Sequence, residues 1–338
     1  MSLIKDVRKK GKKYRLPRVD EAEISNMYSG IYYVKRNATK WVLPSVYSKV
    51  SQNISNFNTR PDDTCIVTFP RSGTTWTQEL VWLVANDLNF EQAKSTPLLQ
   101  RFPFVELNII RETEHLRECI NEFTNGLLAN EKINRKSWID YLDSISSPRF
   151  LKTHLAILLP KFIDNHCKVI YVARNPKDVV VSYYHYHKAV KFFNCKMDIS
   201  QFTEYFMKDL TMYSPFMDHV KFGWEQRNKP NVLFLFYEDL KQDLSGCIKR
   251  VCEFYDKTYD NFDLERLVEH LEFKNFQNNP MVNTPKPGKN DVHILDPRSF
   301  VRKGKIGSWK EEFPPDLVRK FDKWLAEKLA DTDIIFAD

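Results

Sequence analysis

The run Cys65-Ile66-Val67-Thr68-Phe69 passes directly into Pro70-Arg71-Ser72-Gly73-Thr74-Thr75-Trp76, and a stripe of apolar residues at helical spacing follows. A strand that turns through glycine into a helix constrains the fold more than any other stretch of this chain. Such a turn gathers unpaired backbone N–H groups at the positive end of a helix dipole, a natural cradle for a phosphate-like anion. Gly73 lets the backbone approach the anion, Arg71 brings charge, and Ser72, Thr74 and Thr75 bring hydroxyls. The indole of Trp76, one turn in, is placed to cover a nucleotide base.

Three more runs read as buried strands: Arg149 to His154, Lys168 to Ala173, and Val232 to Tyr237. Each ends in polar residues. In open parallel sheets ligands bind beyond the carboxyl ends of the strands, so Pro70–Thr75, His154, Arg174 and Tyr237 are expected on one rim. The segments between the strands read as helices. Trp76, Leu80, Leu83 and Val84 form an apolar stripe, and Asn175-Pro176-Lys177-Asp178 has the N-cap, proline and acidic residue of a helix start. From about Lys274 to Pro297 the periodicity is lost, which predicts a long loop acting as a lid or substrate gate. No internal repeat or low-complexity linker divides the chain. The expected fold class is α/β, a single domain with a central parallel sheet flanked by helices and a P-loop-like cradle. Residues 1–50 form an N-terminal arm and acceptor-side segment, and 51–330 the continuous domain.

With 42% hydrophobic residues and only 9 glycines the chain is neither disordered nor fibrous. The net charge of +7 suits an anionic ligand but is spread along the sequence. The basic stretch Lys5, Arg8, Lys9, Lys10, Lys12, Lys13 and Arg15 reads as a solvated arm rather than a nucleic-acid or membrane site. Six cysteines without a C-x-x-C pair read as reduced thiols. Neither a signal-peptide core nor a membrane span is legible, so a cytoplasmic protein is expected.

The cradle lacks the G-x-x-x-x-G-K-[ST] ending, and its basic residue precedes the glycine, which argues against ATP hydrolysis. Glu238 and Asp239 stand where a magnesium-holding carboxylate would, but without the lysine that reaches a transferring phosphate they do not complete such a site. In Phe150-Leu151-Lys152-Thr153-His154 the strand period puts Lys152 and His154 on one face. An imidazole there can take a proton from an acceptor hydroxyl while the amine neutralises charge on the group transferred. His185 and His187, two apart on a helix, face different ways and are not read as metal ligands. Arg174 with Ser182, and the segment Arg302-Lys303-Gly304-Lys305-Ile306-Gly307-Ser308-Trp309-Lys310, suit a second phosphate.

Taken together these residues resemble the cytosolic sulfotransferase family, across roughly residues 60 to 312. The cradle is similar to that family's 5′-phosphosulfate loop, Y-P-K-S-G-T-T-W. Arg174 to Ser182 resembles its 3′-phosphate segment, Lys152-Thr153-His154 its K-T-H, Tyr237 the tyrosine of F-Y-E-D, and Arg302 to Lys310 its R-K-G-x-x-G-x-W-K. The resemblance implies metal-free transfer of a sulfonate group from 3′-phosphoadenosine 5′-phosphosulfate (PAPS) to an acceptor hydroxyl, leaving 3′,5′-adenosine bisphosphate (PAP). It implies His154 as general base, with Lys152, Arg71 and Ser182 as its catalytic companions. Arg71, Ser72, Gly73, Thr74 and Thr75 would hold the 5′ group, and Arg174, Ser182, Arg302, Lys303 and Gly304 the 3′-phosphate. Trp76, Tyr237, Leu271 and Phe273 would contact adenine, and Phe104, Lys152, His154 and Tyr186 the acceptor.

The sequence departs from the family pattern in places. Arg71 replaces the cradle lysine, Leu271 a threonine near adenine, and Ser308 an aspartate. Pro314, Pro315 and Arg319 break the family's short dimer motif, so a homodimer through that segment is not expected. Aromatic residues at Phe102, Phe104, Tyr183, Tyr184 and Tyr186 favour a small lipophilic acceptor such as a phenol or steroid, with no nucleic acid as partner. Two other reactions stay open at this point, a retinol-dehydratase-like use of sulfonation, known in insect members of the family, and nucleotide-dependent phosphoryl transfer.

Overall fold

The computed structural model describes residues 34–36, 41–111, 137–190, 193–282 and 303–338. A short antiparallel pair, β1 (Val34–Arg36) and β2 (Val42–Pro44), stands apart from a four-stranded sheet. That sheet contains β3 (Thr64–Thr68), β4 (Phe150–Thr153), β5 (Lys168–Ala173) and β6 (Val232–Phe236). Side-chain alternation gives it two buried faces. Cys65, Val67, Val169, Tyr171 and Ala173 enter one apolar core, and Ile66, Ile170 and Val172 the other. Strands buried on both faces need helical layers on both sides, which is why these runs read as almost continuously apolar.

The strands are all parallel, in the order β4-β3-β5-β6. The four runs read from the sequence are these four strands, with ends shifted by a residue at most. The chain leaves β3 for β4 on one side and β5 for β6 on the other, so the carboxyl ends of β3 and β5 flank a crevice at the topological switch point. The helix Thr74–Ala85 buries Leu80, Leu83 and Val84 in the core that Ile66 enters. The helix Pro176–Ala189 starts as its sequence predicts, with Pro176 in the first turn and Asn175 Oδ1 accepting the Lys177 N–H at 2.9 Å.

The loop predicted from about Lys274 to Pro297 is corrected at its start: Phe273–Asn278 is a helix. Its period is too short to register in the sequence, and tertiary burial of Phe276 stabilises it. Residues 283–297 of that loop lie outside the described residues, as do the basic N-terminal stretch and Arg302. In the segment of the broken dimer motif, Pro314 and Pro315 open the helix Pro315–Leu329. The described cysteines Cys65, Cys167, Cys195, Cys247 and Cys252 are buried free thiols. Among the described residues no helix is long and apolar enough to cross a membrane.

Candidate active site

At the end of β3 the chain must turn sharply to enter the next helix, and it does so with Arg71 at φ 70° and Gly73 at φ 98°. Only glycine is at ease at the second position. A Cβ on Gly73 would stand 2.7 Å from the Tyr237 ring, which closes the cradle from the end of β6. Arg174, at the end of β5, crosses the switch point. Its guanidinium donates to the Arg71 carbonyl at 3.0 Å and to the Lys305 carbonyl at 3.2 Å, and lies 4.2 Å from the Tyr237 ring centroid. One arginine thus ties together the ends of β3 and β5 and the distant Lys303–Lys310 segment.

That segment is fixed by Asp178, from the first turn of the helix Pro176–Ala189. Its carboxylate accepts the Gly307 N–H at 2.7 Å, the Ser308 hydroxyl at 2.9 Å and the Trp309 N–H at 3.2 Å. Ser308, which stands in place of an aspartate, therefore serves as a donor to this anchor. Gly304, at φ 59°, packs so closely on Phe273 that a Cβ would lie 2.1 Å from its ring. Trp76 and Phe273 flank a common gap, with the Lys241 ammonium 5.5 Å from each ring centroid, and the Trp76 indole N–H donates to the Leu271 carbonyl at 2.9 Å.

Lys152 and His154, at the end of β4, line the same cavity as the cradle. His154 Nδ1 donates to the Thr68 carbonyl at 2.8 Å. A carbonyl only accepts, so the proton sits on Nδ1 and the lone pair on Nε2. Burial, then the neighbouring Lys152 charge, lowers the imidazole pKa to about 3. The ring is therefore neutral at physiological pH, with the Nε2 lone pair unprotonated. Burial likewise lowers the Lys152 amine to about 8, against the opposing pull of Glu106. Lys152 lies 4.8 Å from the Phe104 ring centroid, and the backbone of 103–105 pairs with it as an extra edge beside β4. Arg71 Nε donates to Ser182 Oγ at 3.1 Å, and its guanidinium sits 5.3 Å from the Tyr186 ring centroid.

A single cavity of about 200 Å³ collects most of the residues singled out from the sequence. Arg71, Gly73, Thr74, Thr75, Trp76, Arg174, Ser182, Tyr237, Phe273, Lys303 and Gly304 line it, together with Phe104, Lys152, His154 and Tyr186. Two candidates sit behind it. Ser72 turns a buried hydroxyl inward, and the Leu271 side chain is packed in the core, so only its carbonyl serves the site. Tyr183 and Tyr186 line the cavity, whereas Tyr184, 100° further round the helix, packs against Phe202. His187 is buried against Phe193 and His185 pairs with Glu312 at 2.6 Å, so the two histidines face apart as their spacing predicts.

Glu106, Asp178, His219 and Lys241 were not singled out as site residues. Only Asp178 carried a sequence signal, that of a helix start. Glu238 Oε1 accepts the Asn175 N–H at 2.9 Å, while Oε2 is buried without a hydrogen-bond partner. Ser72 Oγ and Arg174 Nε are buried without a hydrogen-bond partner. Polar atoms orphaned beside two glycine-lined bends, with Arg71, Arg174 and Lys303 around them, fit a nucleotide carrying separate 5′ and 3′ anionic groups and its base between Trp76 and Phe273.

Known proteins resemble this chain over most of its length. The sulfotransferase domain family matches residues 61–333. A luciferin sulfotransferase of Photinus pyralis is 35% identical over 296 residues, covering 86% of this chain and 77% of that protein. Sulfotransferase 1B1 of Mus musculus is 37% identical over 288 residues, covering 84% and 88%. Among solved structures, a retinol dehydratase in complex with androsterone and the inactive cofactor PAP superposes with a TM-score of 0.82 at 33% identity, over 94% of this chain and 95% of that one. A retinol dehydratase in complex with retinol and PAP gives the same TM-score at 34% identity, over 94% and 96%.

Proposed function

This chain belongs to the sulfotransferase family, and we propose that it transfers the PAPS sulfonate group in line to the hydroxyl of a small lipophilic acceptor, with His154 as general base. It is a PAPS-dependent sulfotransferase; the acceptor class and the residue roles are the proposal. The observation that carries it is that His154, with its proton on Nδ1 and its lone pair on Nε2, lines the same cavity as Arg71, Gly73, Thr74 and Thr75 of the cradle.

The bound donor supplies an activated sulfonate, and the chain does the rest. The Arg71–Thr75 turn with Ser182 holds the 5′ end, and Arg174, Lys303 and Gly304, with Arg302, hold the 3′-phosphate. Trp76, Tyr237 and Phe273 hold the base, with the Leu271 carbonyl fixing the Trp76 indole. His154 takes the hydroxyl proton on Nε2. Lys152 and Arg71 stabilise the charge that develops as the sulfonate leaves its phosphate, in a site where burial strengthens each interaction. Phe104 and Tyr186 form apolar walls for the acceptor.

An acceptor panel of phenols, steroids and retinol with radiolabelled PAPS, run with and without EDTA, tests this reading. Labelled sulfate esters formed in EDTA are expected. Turnover of ATP that needs magnesium, with none of PAPS, overturns it. The likeness to retinol dehydratases over 94% of this chain supports a second outcome, in which an allylic alcohol is sulfonated and then eliminates sulfate and a proton to form a new double bond. An anhydro product from retinol in place of a stable ester decides for it.

A further inference from the structure

One carboxyl group lies sealed beneath the reacting end of the cavity. Glu106 has no exposed surface. The edge pairing of 103–105 with β4 delivers it there: the Lys152 N–H donates to the Pro103 carbonyl and the Val105 N–H to the Lys152 carbonyl, both at 2.9 Å. Glu106 Oε1 accepts the backbone N–H of His154 at 2.6 Å, and Oε2 accepts the Thr153 hydroxyl at 2.7 Å. That hydroxyl in turn accepts the Leu155 N–H at 3.0 Å. A single side chain therefore holds three consecutive residues where β4 ends and the general base begins.

A buried carboxyl is costly unless hydrogen bonds and an opposite charge compensate it. Lys152 is the cation whose charge acts on Glu106; Tyr47, Cys65 and His154 are the other titratable groups around it. The His154 peptide has a second holder. His219 Nε2 donates to its carbonyl at 3.1 Å, and Tyr171 donates its hydroxyl proton to His219 Nδ1 at 2.6 Å. His219 is neutral, its pKa lowered to about 4 by burial. The same peptide is thus held at its N–H by Glu106 and at its carbonyl by the uncharged His219.

We propose that Glu106 is a positioning residue for sulfonate transfer, fixing the His154 peptide and, where its carboxyl is ionised, biasing the Lys152 amine towards the ammonium form. This rests on the reading that His154 and Lys152 carry the transfer. Burial raises the Glu106 carboxyl to about 7 and lowers the Lys152 amine to about 8, while each charge opposes the other's shift. Removing the carboxylate therefore lets the Lys152 amine lose its proton at lower pH.

The test is the kcat profile against pH, with 2-naphthol or androsterone as acceptor, whichever the parent protein sulfonates faster, beside PAP affinity by calorimetry. Glu106→Gln keeps the shape and one acceptor oxygen but loses the charge. Its kcat is expected to fall on the order of 100-fold, as for a misplaced reacting group. Its alkaline limb moves down by about one pH unit, and PAP affinity stays at the parent value. His219→Gln, which disturbs the same peptide without changing charge, lowers kcat and leaves the limb in place. Glu106→Asp, which keeps the charge, also leaves the limb in place and serves if Glu106→Gln does not fold. A Glu106→Gln protein with the parent kcat and profile, or with a limb that stays put like that of His219→Gln, overturns the inference. So does an Asp variant whose limb moves. A parent protein that binds PAP but sulfonates no acceptor overturns the reading beneath it instead.

Discussion

The Nδ1 atom of His154 lies 2.8 Å from the carbonyl oxygen of Thr68, so the last residue of β3 sets the tautomer of a ring at the end of β4. The glycine-containing cradle begins two residues after Thr68, at Pro70, and the two strands pair in register, so cradle and imidazole are held at a fixed spacing.

His154→Ala is expected to lower kcat by about 10²–10⁴-fold, the usual worth of a positioned general base. Calorimetry should find PAP affinity unchanged. Retained turnover would remove the general-base role.

Arg71 is the least usual residue of the cradle. Its Nε bonds Ser182 and its guanidinium covers Tyr186, neither of which a lysine reproduces with one ammonium. Losing one hydrogen bond of about 0.5–1.5 kcal/mol predicts a roughly two- to tenfold fall in kcat for Arg71→Lys. Ser182→Ala in the Arg71→Lys background should add little. Additive effects in this double-mutant cycle would show that the contact does not matter.

Gly304 has φ 59° and no room for a Cβ against Phe273. Gly304→Ala should weaken PAP binding by on the order of tenfold, since the left-handed conformation alone costs about 1–2 kcal/mol for a residue with a side chain. Equal affinity of variant and parent in a titration would mean that Phe273 does not contact the base.

Arg174 carries a buried, unpartnered Nε beside the cradle. If it meets the 3′-phosphate, PAP binds far more tightly than AMP, and Arg174→Ala erases most of that difference. Equal affinities of the parent protein for the two nucleotides would count against a 3′-phosphate clamp.

Acid should destabilise the fold. Burial lowers the pKa of His154 and His187 to about 3 and of His219 to about 4, from an ordinary value near 6.5. The unfolded chain therefore binds protons that the folded one refuses, and stability is lost as pH falls from about 6.5 towards those values. The raised carboxyls of Glu106 and Glu238 act in the opposite sense, but three imidazoles outweigh them. Melting temperature should drop between pH 6.5 and 5; a flat or rising profile would contradict the burial of neutral histidines.

Much of the framework is legible in the sequence. Strand runs such as Lys168–Ala173 have a composition that double-sided burial requires, and Asn175-Pro176 carries its cap in the sequence. The cradle and the Lys152–His154 pair are local motifs, in which the residues that act together lie within a few positions. Phe273–Asn278 was missed because two phenylalanines do not make a period, and the packing of Phe276 is what turns that segment into a helix.

By itself, then, the sequence determined the parallel α/β framework, the strand-turn-helix that receives an anion, and the residue types that meet it. The tertiary structure alone decided the partners that hold those residues still. Asp178 reaches Ser308, Glu106 the His154 peptide, and Trp76 the Leu271 carbonyl, across separations of 130, 48 and 195 residues. Local periodicity is written by each segment's own burial. A buried polar pairing between distant segments exists only once the sheet has brought them together, and it leaves no repeating trace in the chain.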